Sequence, residues 1–150
     1  MKSIPESDVV FGPYDEKDLF HIEKSELYKS FGKGLKTVEF VLHVTTTQTN
    51  VIFLEAKKNA PNPKNRDKSE QQKKDFEKFY TGVPDKFVDS LGIYTAALLK
   101  RYHDISEVGE NLVFNDLKDV KLTFVLVVTN PEAQIEWLAP IRAELEERLR

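Results

Sequence analysis

The chain of 150 residues contains no cysteine, one methionine, one tryptophan and six glycines. Without cysteine there is no disulfide framework, no thiolate zinc site and no cysteine nucleophile, and a reducing compartment suits the chain. No run approaches the roughly 20 apolar residues that span a bilayer. The first eleven residues lack the apolar centre of a secretory signal. These absences predict a cytoplasmic protein with no membrane partner. Nor does charge of one sign dominate: 22 Lys and Arg against 25 Asp and Glu leave a net charge of −3. Any nucleic-acid contact therefore needs a local basic patch, since the molecule as a whole does not attract polyanions. What the chain does have is bulk. Ten Phe and five Tyr within 40% hydrophobic residues exclude disorder throughout and suit a single domain over residues 1–150.

The hydrophobic period switches between two and 3.6 along the chain, which predicts an α/β fold: a mixed central sheet flanked by helices. From Thr37 to Thr45, Val38, Phe40, Leu42 and Val44 share one face, and Glu39 and His43 share the other. Val51 to Lys57 is apolar on both faces until its end, as in an interior strand. The short polar stretch between them makes a hairpin the economical connection. Asp15 to Tyr28 reads either as a helix or as a short strand, Leu19 to Ile22, followed by a turn. Gly32-Lys33-Gly34 ends it.

Asn59 to Lys68 reads as an exposed loop. Ser69 and Gln72 form a capping-box signature that opens a helix to Tyr80. Gly82 and Pro84 then punctuate the chain, with Pro84 in the first turn of a second helix that runs to about Tyr102. Gly92 offers that helix a place for close packing. Asn111 to Asp119 reads as loop with a small strand, and Leu122 to Val128 as a buried strand. Asn130-Pro131-Glu132 starts a last helix, kinked at Pro140, that buries Ile135, Leu138, Ile141, Leu145 and Leu149 with Trp137 packed alongside.

Acidic-x-Lys occurs four times, but only Glu55-Ala56-Lys57 ends an otherwise apolar strand. Alternation puts Glu55 and Lys57 on one face. Burying unpaired charge is costly, so the pair either marks the wet end of a central strand or belongs to a site. A site needs a second carboxylate, and Glu39 supplies one. Opposing Glu39 to Glu55 across an antiparallel hairpin leaves a three-residue loop, Thr46 to Gln48, a common length. Two carboxylates with the Ala56 carbonyl offer hard oxygen ligands for Mg²⁺ or Mn²⁺. Lys57 beside them orients a water or steadies phosphoryl charge.

Val38-Glu39-Phe40-Val41-Leu42, a short loop and Ile52-Phe53-Leu54-Glu55-Ala56-Lys57 resemble the paired active-site strands of the PD-(D/E)xK nuclease superfamily. With Ile22-Glu23-Lys24-Ser25, these segments are also similar to small uncharacterised bacterial proteins. The resemblance implies a restriction-endonuclease-like core and a metal-dependent nuclease acting on DNA or RNA. It makes Glu39 and Glu55 the acidic ligands and Lys57 the catalytic lysine. If Asp15 to Tyr28 is helical, Glu23 or Glu26 would be the extra carboxylate that some members carry on a first helix. Two departures stand out. The first acidic position is Glu where the superfamily usually has Asp, and the family's helix and additional strand must fit within 36 residues. The alternative implied is an inactive nuclease-fold module that binds nucleic acid, a protein partner or a copy of itself.

From Lys57 to Lys78 there are eight basic residues against four acidic ones. Lys58, Lys64, Arg66, Lys68, Lys73 and Lys74 are either a phosphate-backbone contact beside the metal or a solvated face. His21, His43 and His103 have no metal-ligand spacing among them.

Overall fold

The structure, a computed structural model, describes residues 1–101, 104–130 and 135–150. Among the described residues, six strands and three α-helices follow in chain order: β1 (Lys2–Glu6), β2 (Val9–Tyr14), β3 (Leu19–Phe20), α1 (Glu26–Ser30), β4 (Phe40–Thr45), β5 (Thr49–Lys57), α2 (Glu70–Leu98), β6 (Lys121–Val128) and α3 (Ile135–Arg148). Short 3-10 turns cover Glu16–Asp18, Ile22–Lys24, Pro63–Asn65 and Glu110–Leu112. The main sheet has the order β3-β4-β5-β6 and a separate two-stranded sheet pairs β1 with β2. The fold is α/β with a mixed sheet: β3, β4 and β5 are antiparallel neighbours, while β5 and β6 are parallel.

The β4–β5 hairpin has the expected register. Phe40 opposes Leu54 and Thr45 opposes Thr49, leaving Thr46 to Gln48 as the loop. At its open end the ladder slips, since the Glu39 N–H donates to the Leu54 carbonyl at 3.0 Å, one residue off the pairing below it. That slip explains a departure from simple alternation. Val38 does not share a face with Phe40 and Leu42; it joins the core on the α2 side, while Phe40 lies in the core on the other face.

Both faces of β4 and β5 are covered, which is why these strands are apolar throughout. On one face Val41, Val51 and Phe53 pack beneath Tyr80, Val83, Phe87 and Tyr94 of α2. The rings of Phe53 and Tyr94 meet edge to face, and Phe87 stacks on Phe124 of β6. On the other face Phe40, Leu54 and Ala56 pack with Ile4 and Leu19, and Phe11 and Tyr14 of β2 close on Phe40. The β1–β2 hairpin that supplies this cover is absent from the sequence expectation. Its turn residues, Ser7 and Asp8, both adopt positive φ, a geometry for which Asn-Gly is the usual signal. Residues 15–28 resolve as turns around a two-residue strand and the five-residue α1, so the strand-then-turn alternative is nearer the structure than the helix.

Several expectations are corrected. The helices predicted over Ser69–Tyr80 and Pro84–Tyr102 are one helix, capped by Ser69, whose Oγ accepts from the Gln72 N–H at 3.1 Å. An interior proline costs about 3 kcal/mol, but Tyr80, Val83, Pro84 and Phe87 are all buried on the sheet, and each large apolar side chain contributes about 1.5–3 kcal/mol. Tertiary burial offsets the break. Gly92 meets no neighbour, because it lies on the solvent side. The strand β6 is the sheet edge and only partly buried, with Leu122 39% exposed. Leu138 of α3 is exposed while Ile141 and Leu145 are buried. Among the described residues no strand occurs between Asn111 and Asp119. Tyr102, the predicted helix start at 131–132 and the side chain of Ile135 lie outside the described residues. Among the described residues no helix is long and apolar enough to cross a membrane.

Candidate functional site

At the open end of the β4–β5 hairpin four acidic residues gather from four places in the chain. Glu55 ends the buried part of β5, and Glu39 sits just ahead of β4. Glu23 comes from the 3-10 turn whose Ile22 is anchored in the core, and Glu6 from the last residue of β1. Glu39 is 4% exposed and Glu55 fully buried. The segment leading to Glu39 is stapled to α2: the Lys36 N–H donates to Asp89 Oδ2 at 2.9 Å and the Val38 N–H to the buried Ser90 Oγ at 2.9 Å. Glu39 is therefore placed by the helix above as much as by its own strand.

The two strand acids meet different partners. Glu55 Oε1 accepts from Lys86 Nζ of α2 at 2.7 Å and lies 3.2 Å from Lys57 Nζ. Burial alone would pull the Lys86 ammonium down. The hydrogen bond to Glu55 and the charges of Glu55, Glu39 and Glu23 outweigh it, and Lys86 is raised from its ordinary value. Glu39 has no such cation. Its carboxyl is pushed up to about 8, first by burial and then by the charges of Glu23, Glu55 and Glu6. Two ionised carboxylates cannot hydrogen-bond each other, so Glu39 meets Glu23 favourably only by keeping a proton.

One carboxylate oxygen on each of Glu23, Glu39 and Glu55 is buried without a hydrogen-bond partner. Buried polar atoms are normally satisfied, and orphaned carboxylate acceptors such as those of Glu23 and Glu39 are what a bound cation would satisfy. Carboxylate oxygens of Glu6, Glu23 and Glu39 all lie within 4.8 Å of one another. Hard oxygen donors of this kind fit Mg²⁺ or Mn²⁺. The peptide of Ala56 lies in the parallel ladder opposite Val127, and its side chain belongs to the core on the far face.

Lys57 also lines a cleft of about 380 Å³ with Lys36, Lys78 and Lys86, closed by Phe79, Gly82, Val83 and Asp75. The basic residues that share this cleft are not the ones singled out from the loop. Lys64, Arg66, Lys68, Lys73 and Lys74 lie farther along the chain, mostly exposed. Arg66 pairs with Glu77 at 3.3 Å and lies over the Phe76 ring, beside a separate hollow lined by Asn62 and Phe79. Lys58 pairs with Asp8 at the tip of the β1–β2 hairpin.

His43 faces away from this chemistry, held by Asp18 at 2.8 Å and Thr45 at 3.1 Å. His21 is pulled down chiefly by burial, and its Nε2 is buried without a partner. His103 lies outside the described residues.

Sequence reasoning missed Lys86 and Glu6. Lys86 was legible in principle, being three residues after Val83 and four before Ser90, both buried on one helix stripe. Dividing the helix at Pro84 hid that spacing. Glu6 had no comparable signal, because its hairpin was not expected. No family model, curated protein or solved structure matches the chain.

Proposed function

We propose that this protein is a metal-dependent nuclease with a restriction-endonuclease-like core, hydrolysing phosphodiester bonds of DNA or RNA. The observation that carries the reading is the set of buried, orphaned carboxylate oxygens on Glu23, Glu39 and Glu55 beside Lys57 and Lys86. The topology supports it. The strand that follows Glu39, β4, is preceded by one more antiparallel strand, β3, and β5 connects through α2 to a parallel β6. The first helix of the superfamily has no counterpart ahead of β3, where the β1–β2 hairpin stands instead.

In this reading Glu39 and Glu23 hold a divalent cation, with Glu55 beside them engaged by Lys57 and Lys86. The bound cation would supply a Lewis acid and an activated water. Lys57, at the border of the carboxylates and the basic cleft, steadies charge on the phosphoryl oxygens. Lys86 holds Glu55 in place, and Lys36 and Lys78 line the path of the strand's phosphates. One observation favours a binding module that does not cut: Lys57 is already engaged by Glu55 at 3.2 Å.

The test incubates the protein with labelled duplex DNA, single-stranded DNA and RNA in Mg²⁺, in Mn²⁺ and in EDTA. Cleavage should require the cation, and Glu39→Gln and Lys57→Ala should each lose on the order of 100-fold in rate. Cleavage of none of the substrates, or variants that cut like the parent, removes the nuclease reading. Binding without cutting leaves the module.

A further inference from the structure

We infer that the β1–β2 hairpin is part of the metal centre: Glu6 is a cation ligand, joining Glu23 and Glu39 in a three-carboxylate seat from which Glu55 is held apart by its lysines. The inference rests on the metal-dependent reading above and deepens it by reassigning which side chains hold the ion.

Glu6 is brought to the site by construction. The core residue Ile4 anchors β1 two positions earlier. The turn at Ser7-Asp8 is tied down on the far ends of β5 and β6. Thr129 Oγ1 donates to the Ser7 carbonyl at 2.6 Å, and Lys58 Nζ pairs with Asp8 Oδ2 at 2.9 Å. Thr129 is itself fixed, its N–H donating to the Lys57 carbonyl at 2.9 Å. A hairpin pinned at both its core and its tip holds Glu6 in one place, unlike a carboxylate on a free loop.

The neighbours of Glu6 point to a cation. Glu39 is 4% exposed and its Oε2 is buried with no hydrogen-bond donor, while Glu23 Oε2 makes no hydrogen bond and lies 3.4 Å from the Lys24 ammonium. Among the described residues, the ammonium within ion-pair distance of this trio is that of Lys24, 3.4 Å from Glu23 and largely in solvent. Three carboxylates around buried oxygens therefore concentrate negative charge that the ammonium groups among the described residues only partly offset. Spacing agrees with one shared ion. Two oxygens on opposite sides of Mg²⁺ stand about 4.2 Å apart, twice the bond of about 2.1 Å, and larger ions hold them farther apart. Oxygens all within 4.8 Å of each other close on such an ion by small side-chain rotations. Glu55 is situated differently: its Oε2 also lacks a hydrogen bond, but its Oε1 bridges two ammonium groups and it is not among the carboxylates whose oxygens lie within 4.8 Å of one another.

Calorimetric titration with Mn²⁺ of the full chain and of Glu6→Gln, Glu39→Gln and Glu55→Gln tests the assignment, with circular dichroism melting to confirm folding. The expected result is one Mn²⁺ per chain, affinity at least tenfold weaker in Glu6→Gln, and affinity within about threefold of the parent in Glu55→Gln. As a second readout, Mg²⁺ should slow amide hydrogen exchange across residues 2–14 in the parent and not in Glu6→Gln. If Glu6→Gln binds like the parent while Glu39→Gln and Glu55→Gln lose the ion, the hairpin ligand is wrong and the metal-dependent reading survives on the strand acids. If the parent itself binds no Mn²⁺, both fall.

Discussion

Glu55, fully buried near the end of β5, is met by the ammonium groups of Lys57 and Lys86. Across the same hairpin Glu39, nearly as buried, is met by the carboxyl groups of Glu23 and Glu6. The two acids come from adjacent strands and differ in what the rest of the chain brings to them. In the lysine half the chain supplies its own cations, both on Oε1 of Glu55. The carboxylate half concentrates like charge in a dry place, which opposes folding of the free protein. An arrangement that lowers stability and leaves acceptors unpaired is better explained by something it binds than by the fold it belongs to.

The comparison is most sharply broken from the lysine side. Lys86→Met leaves Glu55 with Lys57 alone, and losing one partner of a buried pair costs about 3–5 kcal/mol. The urea midpoint should fall accordingly, and adding Glu55→Gln to Lys86→Met should restore part of the loss. A drop under about 1 kcal/mol, the scale of an exposed pair, would mean that Glu55 does not depend on Lys86.

On the carboxylate side the expected sign is opposite. With chelator present, folded Glu39 holds its proton up to about 8 against an ordinary value of 4.5. Between those pH values the folded chain keeps a proton that the unfolded chain has released. This contribution to stability is full below pH 4.5 and is lost as pH rises towards 8. Glu39→Gln, which mimics the protonated acid, should flatten that slope and be more stable than the parent at about pH 8 by about 2–3 kcal/mol. Denaturant melts at about pH 5, 6.5 and 8 read it directly, and parallel curves for parent and variant would contradict the assignment.

The smallest stability effect belongs to the exposed loop. Replacing Lys64, Arg66 and Lys68 with Ser should change stability by less than about 1 kcal/mol, since the ion pair removed, Arg66 with Glu77, is solvent-facing. Its use is to locate the polyanion. Fluorescence anisotropy of a labelled duplex and single strand across a salt series should show affinity falling steeply with salt. For the duplex the slope becomes shallower by about 0.9 for each phosphate the variant no longer neutralises. If the loop triple variant binds like the parent and Lys36→Ser with Lys78→Ser does not, the strand follows the cleft beside Lys57. If all bind nothing at low salt, a protein partner replaces nucleic acid.

Much of the sheet was legible because it depends on local pattern. The arithmetic that opposes Glu39 to Glu55 through a three-residue loop is the pairing seen at Phe40–Leu54, and Ser69 caps the long helix as its spacing predicts. Errors arose where burial overrode local propensity. Pro84 reads as a helix start until Tyr80, Val83 and Phe87 are found buried together on the sheet. The apolar run through β6 reads as a buried strand, although it lies at the sheet edge and is only partly buried. Apolar content reports how much surface is to be covered and not which neighbour covers it.

The sequence by itself determined the α/β class, the register of the β4–β5 hairpin below Glu39, and the placement of Glu55 and Lys57 at the end of an apolar strand. Each follows from residues a few positions apart, where backbone geometry and alternation leave few choices. Tertiary structure alone decided which acid received cations and which received more acid. Lys86 reaches Glu55 because α2 crosses above β5, and Glu6 reaches Glu39 because a hairpin packs on the opposite face and its tip is tied to β5 and β6. The environment of a buried charge is the sum of everything folded around it, and most of what surrounds these two acids lies far away in the chain.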